Sequence, residues 1–288
     1  MQKRRILFIN QEISPFSPES EVSIFAHDLP EYIQAHKDKD GSYDREIRTF
    51  MPRYNYVHEI KNQLHEVIRL SGMNLMVNNF DHQLLIKVGS MPKSKTQVYF
   101  VDNDEYFVGR EPQWDEQGNF HPDNDERMMF FNHGSLEAVR KLAWKPNLIH
   151  ASGWFASMVP FYIRRMNKED AFFNGTKIVV SIFGDNFTEH FSDRMEKKLK
   201  YDGATAKDLR LYSGQDYRSI METAITYAHG IVIASPNADP ELVEFAKATK
   251  KNVLDYTPDT EDFFEKINHF YDIVIGSTTS STKYATKE

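Results

Sequence analysis

The residues best equipped for chemistry sit together in one stretch, His121-Pro-Asp-Asn-Asp-Glu-Arg127, followed by a long aromatic-rich run. Carboxylates at Asp123, Asp125 and Glu126 beside the Arg127 guanidinium can hold a polar ligand, and they can equally start a helix. Asp123 with Glu126 three residues on is the capping-box pattern, a short acceptor at the N-cap and a carboxylate reaching back. Asp125 and Glu126 also place negative charge at the positive end of the helix dipole. Met128, Phe131, Ser135, Val139 and Leu142 then recur at helical spacing, which predicts a helix with a buried stripe. On one reading the charges cap a core helix. On the other the charged head, above all Arg127, lines a cleft.

Other reactive residues are less organised. The chain has no cysteine, which removes disulfides, thiolate metal sites and cysteine nucleophiles. Its 11 histidines show no ligand spacing: His58 and His65 lack the i, i+4 pairing of a zincin helix, and His121, His133, His150 and His190 are scattered. Asp123-Asn-Asp-Glu126 lacks the central glycine and distal glutamate of a calcium loop. No glycine-rich phosphate loop follows a strand, and neither Ser152-Gly-Trp nor Ser213-Gly-Gln is a nucleophile elbow. No metal and no cofactor are expected. Tyr99, Phe100, Tyr106, Phe107, Trp114 and Phe120 form a dense aromatic set; most should pack internally, while an exposed Tyr or Trp on such a loop can stack on a sugar ring.

The elements that must position these residues read as alternating strands and helices. Residues 5–10 form a short apolar run of the kind buried parallel strands use. Residues 11–20 are loop, blocked by Pro15 and Pro18, and 21–35 carry Val22, Phe25, Leu29 and Ile33 on one helical face despite Pro30. A second strand is expected over 45–53. That strand–helix–strand order opens a doubly wound α/β fold. Strand-like runs at 65–70, 84–88 and 97–101 predict an antiparallel edge excursion over about 59–108. Beyond the 123-onward helix the alternation resumes: strand 147–151, helix 154–165, strand 176–183, helix 217–228, strand 231–235, helix 238–248 and a last strand near 253–256. Residues 259–270 should be a helix docked on the body, and 276–288, rich in Ser, Thr and Lys, should be disordered.

With 288 residues, 40% hydrophobic and 27% charged, the chain has the make-up of a soluble globular protein. A net charge of −7 and pI near 5.9, with no basic stripe, argue against nucleic acid as a partner. The apolar run after Met1-Gln-Lys-Arg-Arg5 is too short for a signal core or a membrane span, so no membrane association and a cytoplasmic location are expected.

Several strings in order resemble the glycogen synthase and starch synthase family. They are Ile6-Leu-Phe-Ile-Asn-Gln-Glu-Ile-Ser-Pro15, with Glu12 and Pro15 in register; Glu46-Ile-Arg-Thr-Phe-Met-Pro-Arg-Tyr54; the Pro122–Arg127 string; Trp154-Phe-Ala-Ser-Met-Val-Pro-Phe-Tyr162; and Gly230-Ile-Val-Ile-Ala-Ser-Pro236. The resemblance implies a GT-B glycosyltransferase, whose two Rossmann-like domains face each other across a cleft. ADP-glucose binds mainly to the second domain and the glucan lies across the first. This chain corresponds to the first, over residues 1–275, and stops about where the second would begin. The 259–270 helix would stand in for the family's terminal helix that crosses back.

Departures from the family pattern fall on its chemical residues. Its Lys-Thr-Gly-Gly-Leu loop is replaced here by Pro18-Glu-Ser-Glu-Val22, so two carboxylates stand where phosphate would sit. Its Asp-Trp-His reads Gly153-Trp154-Phe155, and its His-Asn reads Phe183-Gly184, with Asn186 the nearby amide. Glu12, Tyr54, Asp123, Asp125, Arg127, Trp154 and Asn186 remain as candidate glucan or sugar contacts, and no catalytic residue is assigned. The implied function is a domain of α-glucan synthesis that needs a second-domain subunit, or a homo-oligomer, to transfer glucose. The alternative is a non-catalytic glucan-binding or partner-binding descendant that regulates storage polysaccharide.

Overall fold

The computed structural model describes residues 3–37, 41, 44–92, 94, 96–166 and 169–276. Its frame is a sheet ordered β10-β9-β8-β7-β1-β2-β6-β5-β3, with β4 paired to β5. The strands are β1 (Arg4–Asn10), β2 (Arg45–Pro52), β3 (His65–Glu66), β4 (Met73–Val77), β5 (Phe80–Ser90), β6 (Gln97–Asp102), β7 (Leu148–Ser152), β8 (Lys177–Ile182), β9 (Gly230–Ile233) and β10 (Asn252–Leu254). From β10 through β6 every pairing is parallel, as expected of near-continuous apolar runs; β7, β8 and β9 are almost wholly buried. This is the Rossmann-like, mostly parallel sheet read from the sequence, with its antiparallel edge.

The edge differs in detail. β6 pairs antiparallel with β5 but parallel with β2, so it belongs to the main sheet and the excursion is β3 to β5. The run at 65–70 yields only two strand residues, because 67–71 fold into a turn. Met73–Val77 is an additional strand. It reaches β5 through Asn78-Asn79, both with positive φ (51° and 64°), the geometry of a two-residue hairpin turn that asparagine tolerates.

The helices are α1 (Glu21–Ala35), α2 (Asn124–Lys141), α3 (Val159–Phe161), α4 (Met195–Tyr201), α5 (Ala206–Leu209), α6 (Tyr217–Tyr227), α7 (Pro240–Ala248) and α8 (Thr260–Ile275). α1 runs unbroken through Pro30. α2 is buried nearly all round, beyond the single stripe its spacing predicts. Gly134 permits this, since a Cβ there would lie 2.9 Å from Leu84 and 3.1 Å from Val101 on the sheet. The single helix expected over 154–165 is instead a 3-10 turn (Trp154–Ala156), α3 and a π turn (Tyr162–Met166). Pro160 has no N–H to donate back to Ala156, so the helix must restart there. α4 and α5, seven and four residues long, are too short to carry a helical stripe in the sequence.

Two apolar cores sandwich the sheet, the larger under α2, α3 and α6 and the smaller under α1 and α8. α8 extends five residues past Phe270 and ends at Gly276 in the left-handed conformation. Phe263, Phe264, Ile267, Phe270 and Tyr271 bury its inner face. Under it, His150 Nδ1 meets the Tyr271 hydroxyl at 2.5 Å and His150 Nε2 meets Ser181 Oγ at 2.6 Å, all buried. Gly276 apart, the 276–288 segment lies outside the described residues. Among the described residues no helix is long and apolar enough to cross a membrane.

Candidate functional site

Strand order reverses between β1 and β7: successive strands run one way from β1 and the other way from β7. In open α/β sheets the crevice beyond the carboxyl ends of two such strands is where ligands bind. Here it is formed by Gln11 and Glu12 after β1, Gly153 and Trp154 after β7, and Asp185 and Asn186 after β8. Gly153 has φ 83° and sits so close to Gln11 that a Cβ would lie 2.7 Å from it. That approach lets Gln11 Oε1 accept the Phe155 N–H at 3.3 Å.

The mouth of this crevice is acidic. Glu12 accepts the Ser20 hydroxyl, and Ser20 caps α1 by accepting the Ser23 N–H at 3.0 Å. Burial raises the Glu12 pKa, outweighing the Ser20 hydrogen bond, and Asp185 adds to the rise. Asp185 accepts the Tyr217 hydroxyl at 2.9 Å and the Trp154 N–H at 3.3 Å, and burial raises its pKa too. Glu21, in the first turn of α1, accepts from the Asn237 amide at 3.0 Å and ties α1 to the loop after β9. Asn186 is exposed.

The charged head of α2 is used up inside the protein. Arg127 is fully buried: Nε donates to the Tyr106 carbonyl and Nη2 to that of Glu111, each at 2.8 Å. Nη1 donates to the Pro112 carbonyl at 2.8 Å and to Asn124 Oδ1 at 2.6 Å. It fixes the 106–112 loop, and burial pulls its pKa down to about 10. Tyr54, also fully buried, lies under the same guanidinium at 5.9 Å. Asp123 makes no cap bond, contrary to the capping-box expectation. Arg110 outcompetes the backbone for it, donating at 2.7 Å, and although burial opposes, that ion pair holds the carboxyl below the usual range. Asp125 is buried against Lys198 of α4, at 2.8 and 3.0 Å, and Glu126 meets the same ammonium at 2.8 Å. Burial wins at Asp125, raising its pKa to about 6 despite Lys198.

Trp154 is buried, but it is the base of an aromatic ledge. Phe187 packs on it at 5.1 Å, Phe120 on Phe187 at 5.1 Å, and Trp114 on Phe120 at 5.5 Å. Trp114, Phe120 and Phe187 are each half-buried, whereas Tyr99, Phe100, Tyr106 and Phe107 belong to the core. Phe155 and Phe183 are core residues as well, the first against Tyr54 and Phe131, the second against Phe25.

The structure thus brings Glu12, Trp154 and Asn186 to one crevice and places Tyr54, Asp123, Asp125 and Arg127 in the knot beside it. Gln11, Asp185, Phe187 and Lys198 escaped the sequence reading. Only Asp185 carried a signal, as a carboxylate just past a buried strand. Among the described residues no group of three or more His, Asp or Glu side chains could hold a metal ion.

Comparison with known proteins agrees with this architecture. A family model described as the starch synthase catalytic domain matches residues 5–257. The glycogen synthase of Chlorobium luteolum is 34% identical over 179 residues, covering 62% of this chain and 35% of that protein. That of Chlorobium phaeovibrioides is 29% identical over 240 residues, covering 83% and 47%. The catalytic domain of Starch Synthase IV from Arabidopsis thaliana, bound to ADP and acarbose, superposes with a TM-score of 0.65 at 14% identity, over 91% of this chain and 53% of that one. The chain spans less than half the length of these two glycogen synthases, and its sheet with one antiparallel edge is that of a GT-B glycosyltransferase domain. It belongs to the family of the starch synthase catalytic domain.

Proposed function

We propose that this chain works in α-glucan synthesis as the glucan-side domain of a glycosyltransferase, and that alone it does not transfer glucose from ADP-glucose. The observation that carries the second half is the seal over the amino terminus of α1. The Ser20 side chain occupies the Ser23 N–H of the first turn, Glu12 lies against Ser20, and Glu21 is bound to Asn237. Helix amino termini attract phosphate through their free N–H groups, and carboxylates placed there repel it. Phe155 and Phe183, at positions where the family resemblance implies imidazoles, are packed in the core and supply no donor to developing charge. The glucan half rests on the half-buried Trp114–Phe120–Phe187 ledge beside the crevice, a surface suited to sugar faces, with Asn186 and Glu12 as polar contacts. Transfer would draw a second Rossmann-like domain from the rest of the polypeptide or from another subunit.

Thermal unfolding of the purified chain with maltoheptaose, and separately with ADP-glucose, tests this. A ligand that binds only the folded state raises the midpoint by mass action. A saturable rise with maltoheptaose alone is expected. A comparable rise with ADP-glucose, or glucose incorporation into glucan by the chain by itself, would overturn the reading. A second reading, a partner-binding surface, is favoured by Ile60, Ile68 and Phe80, which are 96%, 84% and 67% exposed on or near the β3–β5 excursion. It requires neither sugar to shift the midpoint, and self-association or partner capture that Ile68→Lys abolishes.

A further inference from the structure

At the amino edge of the sheet, opposite the crevice, a cavity of about 200 Å³ opens between the π turn and the starts of β8 and β9. Arg164, Lys177 and His229 line it, with Phe173 and Thr176 beneath. Among the described residues neither Arg164 nor Lys177 is paired with a carboxylate. Asp170 also lines the cavity, but Arg140 and the Phe172 N–H (2.8 Å) already engage it. Lys251 stands close by, anchored on the carbonyls of Ile225, Thr226 and Ala228, and adds a further positive charge.

His229 makes the deficit specific. Its Nδ1 accepts the Ile178 N–H at 3.0 Å, so the neutral ring carries its proton on Nε2. That Nε2 faces the Arg164 guanidinium at 2.6 Å. Two donors therefore meet with no acceptor between them. Burial first, then Arg164, Lys177 and Lys251, bring the His229 pKa down to about 4, which keeps the ring neutral. The π turn that presents Arg164 is itself the kind of helix irregularity that recurs at functional sites.

We propose that this cavity is a binding site for a phosphoryl group, held by the Arg164 guanidinium, the Lys177 ammonium and the His229 Nε2–H. Three donors from separate elements suit an oxyanion with several acceptor oxygens, and guanidinium matches phosphate geometry well. A phosphoryl oxygen approaching both Arg164 Nη1 and His229 Nε2 from the cavity gives each donor its missing acceptor. The two nitrogens draw apart from their 2.6 Å contact to admit it. The cavity leaves room for a small substituent on the phosphoryl group. The site is separate from the crevice and stands whether or not glucan binds there.

The test is thermal unfolding and calorimetric titration of the full chain at pH 7.5 and low ionic strength, where exposed charges are least screened. The probes are inorganic phosphate, glycerol phosphate, and acetate at matched ionic strength. Phosphate should give a saturable midpoint rise and acetate none. Arg164→Gln and Lys177→Gln should each weaken phosphate binding about tenfold or more, the loss of one charge-assisted contact. Lys61→Gln, just before β3 at the far end of the strand order, should bind as the parent does. Glycerol phosphate binding at least as tightly assigns a phosphate monoester, and much weaker binding assigns free phosphate. No saturable rise, an equal rise with acetate, or undiminished binding in both glutamine variants would overturn the proposal.

Discussion

Two charged regions of this fold, the head of α2 with the crevice mouth and the cavity at the starts of β8 and β9, use their charges in opposite ways. Elsewhere on the amino edge Arg4, Arg5 and Arg45 are paired with Asp272 and Glu46. At the carboxyl edge the charges of the α2 head and the crevice mouth have partners within the fold: Arg127 on three loop carbonyls, Asp123 on Arg110, Asp125 on Lys198, Asp185 on Tyr217, Glu21 on Asn237. At the amino edge Arg164 and Lys177 face an open cavity and, among the described residues, have no carboxylate partner. Charge density in a sequence therefore does not locate a binding site. A charge whose hydrogen bonds are all met inside the protein is architecture, because a ligand would have to break those bonds to use it. A charge left with unmet donors is the better pointer. The family's crevice lies at the first edge, and what remains open there is mainly aromatic.

The largest effect expected at the carboxyl edge comes from Arg127→Met. It strands the carbonyls of Tyr106, Glu111 and Pro112 and should cost about 5 kcal/mol in urea unfolding. The 106–112 loop should also become protease-sensitive. A loss under about 1 kcal/mol would mean the guanidinium does not organise the loop, and would restore it as a candidate ligand contact. Lys198→Met should cost about 3–4 kcal/mol at pH 7, because it leaves Asp125 buried and unpaired. The pH dependence has a definite sign. With a folded pKa of about 6 in the parent, above the ordinary carboxylate value, Asp125 takes up a proton in the folded state first. Acidification from pH 7 toward 4 therefore favours folding through this group. The variant, its Asp125 pKa raised further, should recover part of its deficit over that range, and a deficit independent of pH would rule out a stranded charge.

How much of this was legible follows the range of the interactions. The α1 helix and the strands β1, β7, β8 and β9 were plain because each is encoded locally, in a 3.6-residue stripe or a short apolar run. The β4–β5 hairpin was missed because its turn is Asn78-Asn79 and not the Asn-Gly pair that announces such turns. Asp123 and Glu126 spelled a capping box, yet Arg110, thirteen residues upstream in a loop, takes Asp123 away from the backbone. Lys198 lies 73 residues from Asp125 on a seven-residue helix with no periodicity to flag it. The family strings told which fold would form. They said nothing of which charges the fold would consume, since that depends on contacts between distant segments.

His150, at the centre of the sheet between the two edges, gives the next effect. Burial takes its pKa to about 3, so the folded protein keeps the ring neutral while the unfolded chain protonates it near pH 6.5. A base with a depressed folded pKa contributes stability that is intact above its unfolded value and is lost as pH falls toward the folded one. Stability should drop by up to about 3 kcal/mol between pH 7 and 4 from this group, opposing the gain at Asp125. His150→Gln removes the titration. It should flatten the acid limb of the stability profile while lowering stability at pH 7, because Tyr271 and Ser181 lose their partner. An unchanged acid limb would place the acid sensitivity elsewhere.

The smallest effect is the one that separates the edges by function. Trp114 is half-buried, packs on Phe120 and, among the described residues, hydrogen-bonds to no charge, so Trp114→Ala should alter stability by no more than about 1 kcal/mol. If the ledge is where glucan lies, that variant should weaken maltoheptaose about five- to tenfold, the worth of one aromatic face on a sugar ring. Phosphate binding at the amino edge should not move, because no residue is shared between ledge and cavity. Arg164→Gln should show the reverse pattern, with phosphate weakened and maltoheptaose unaffected. Both ligands weakened by both variants would mean the edges communicate through β7 and β8, and the division between a spent edge and an open one would have to be given up.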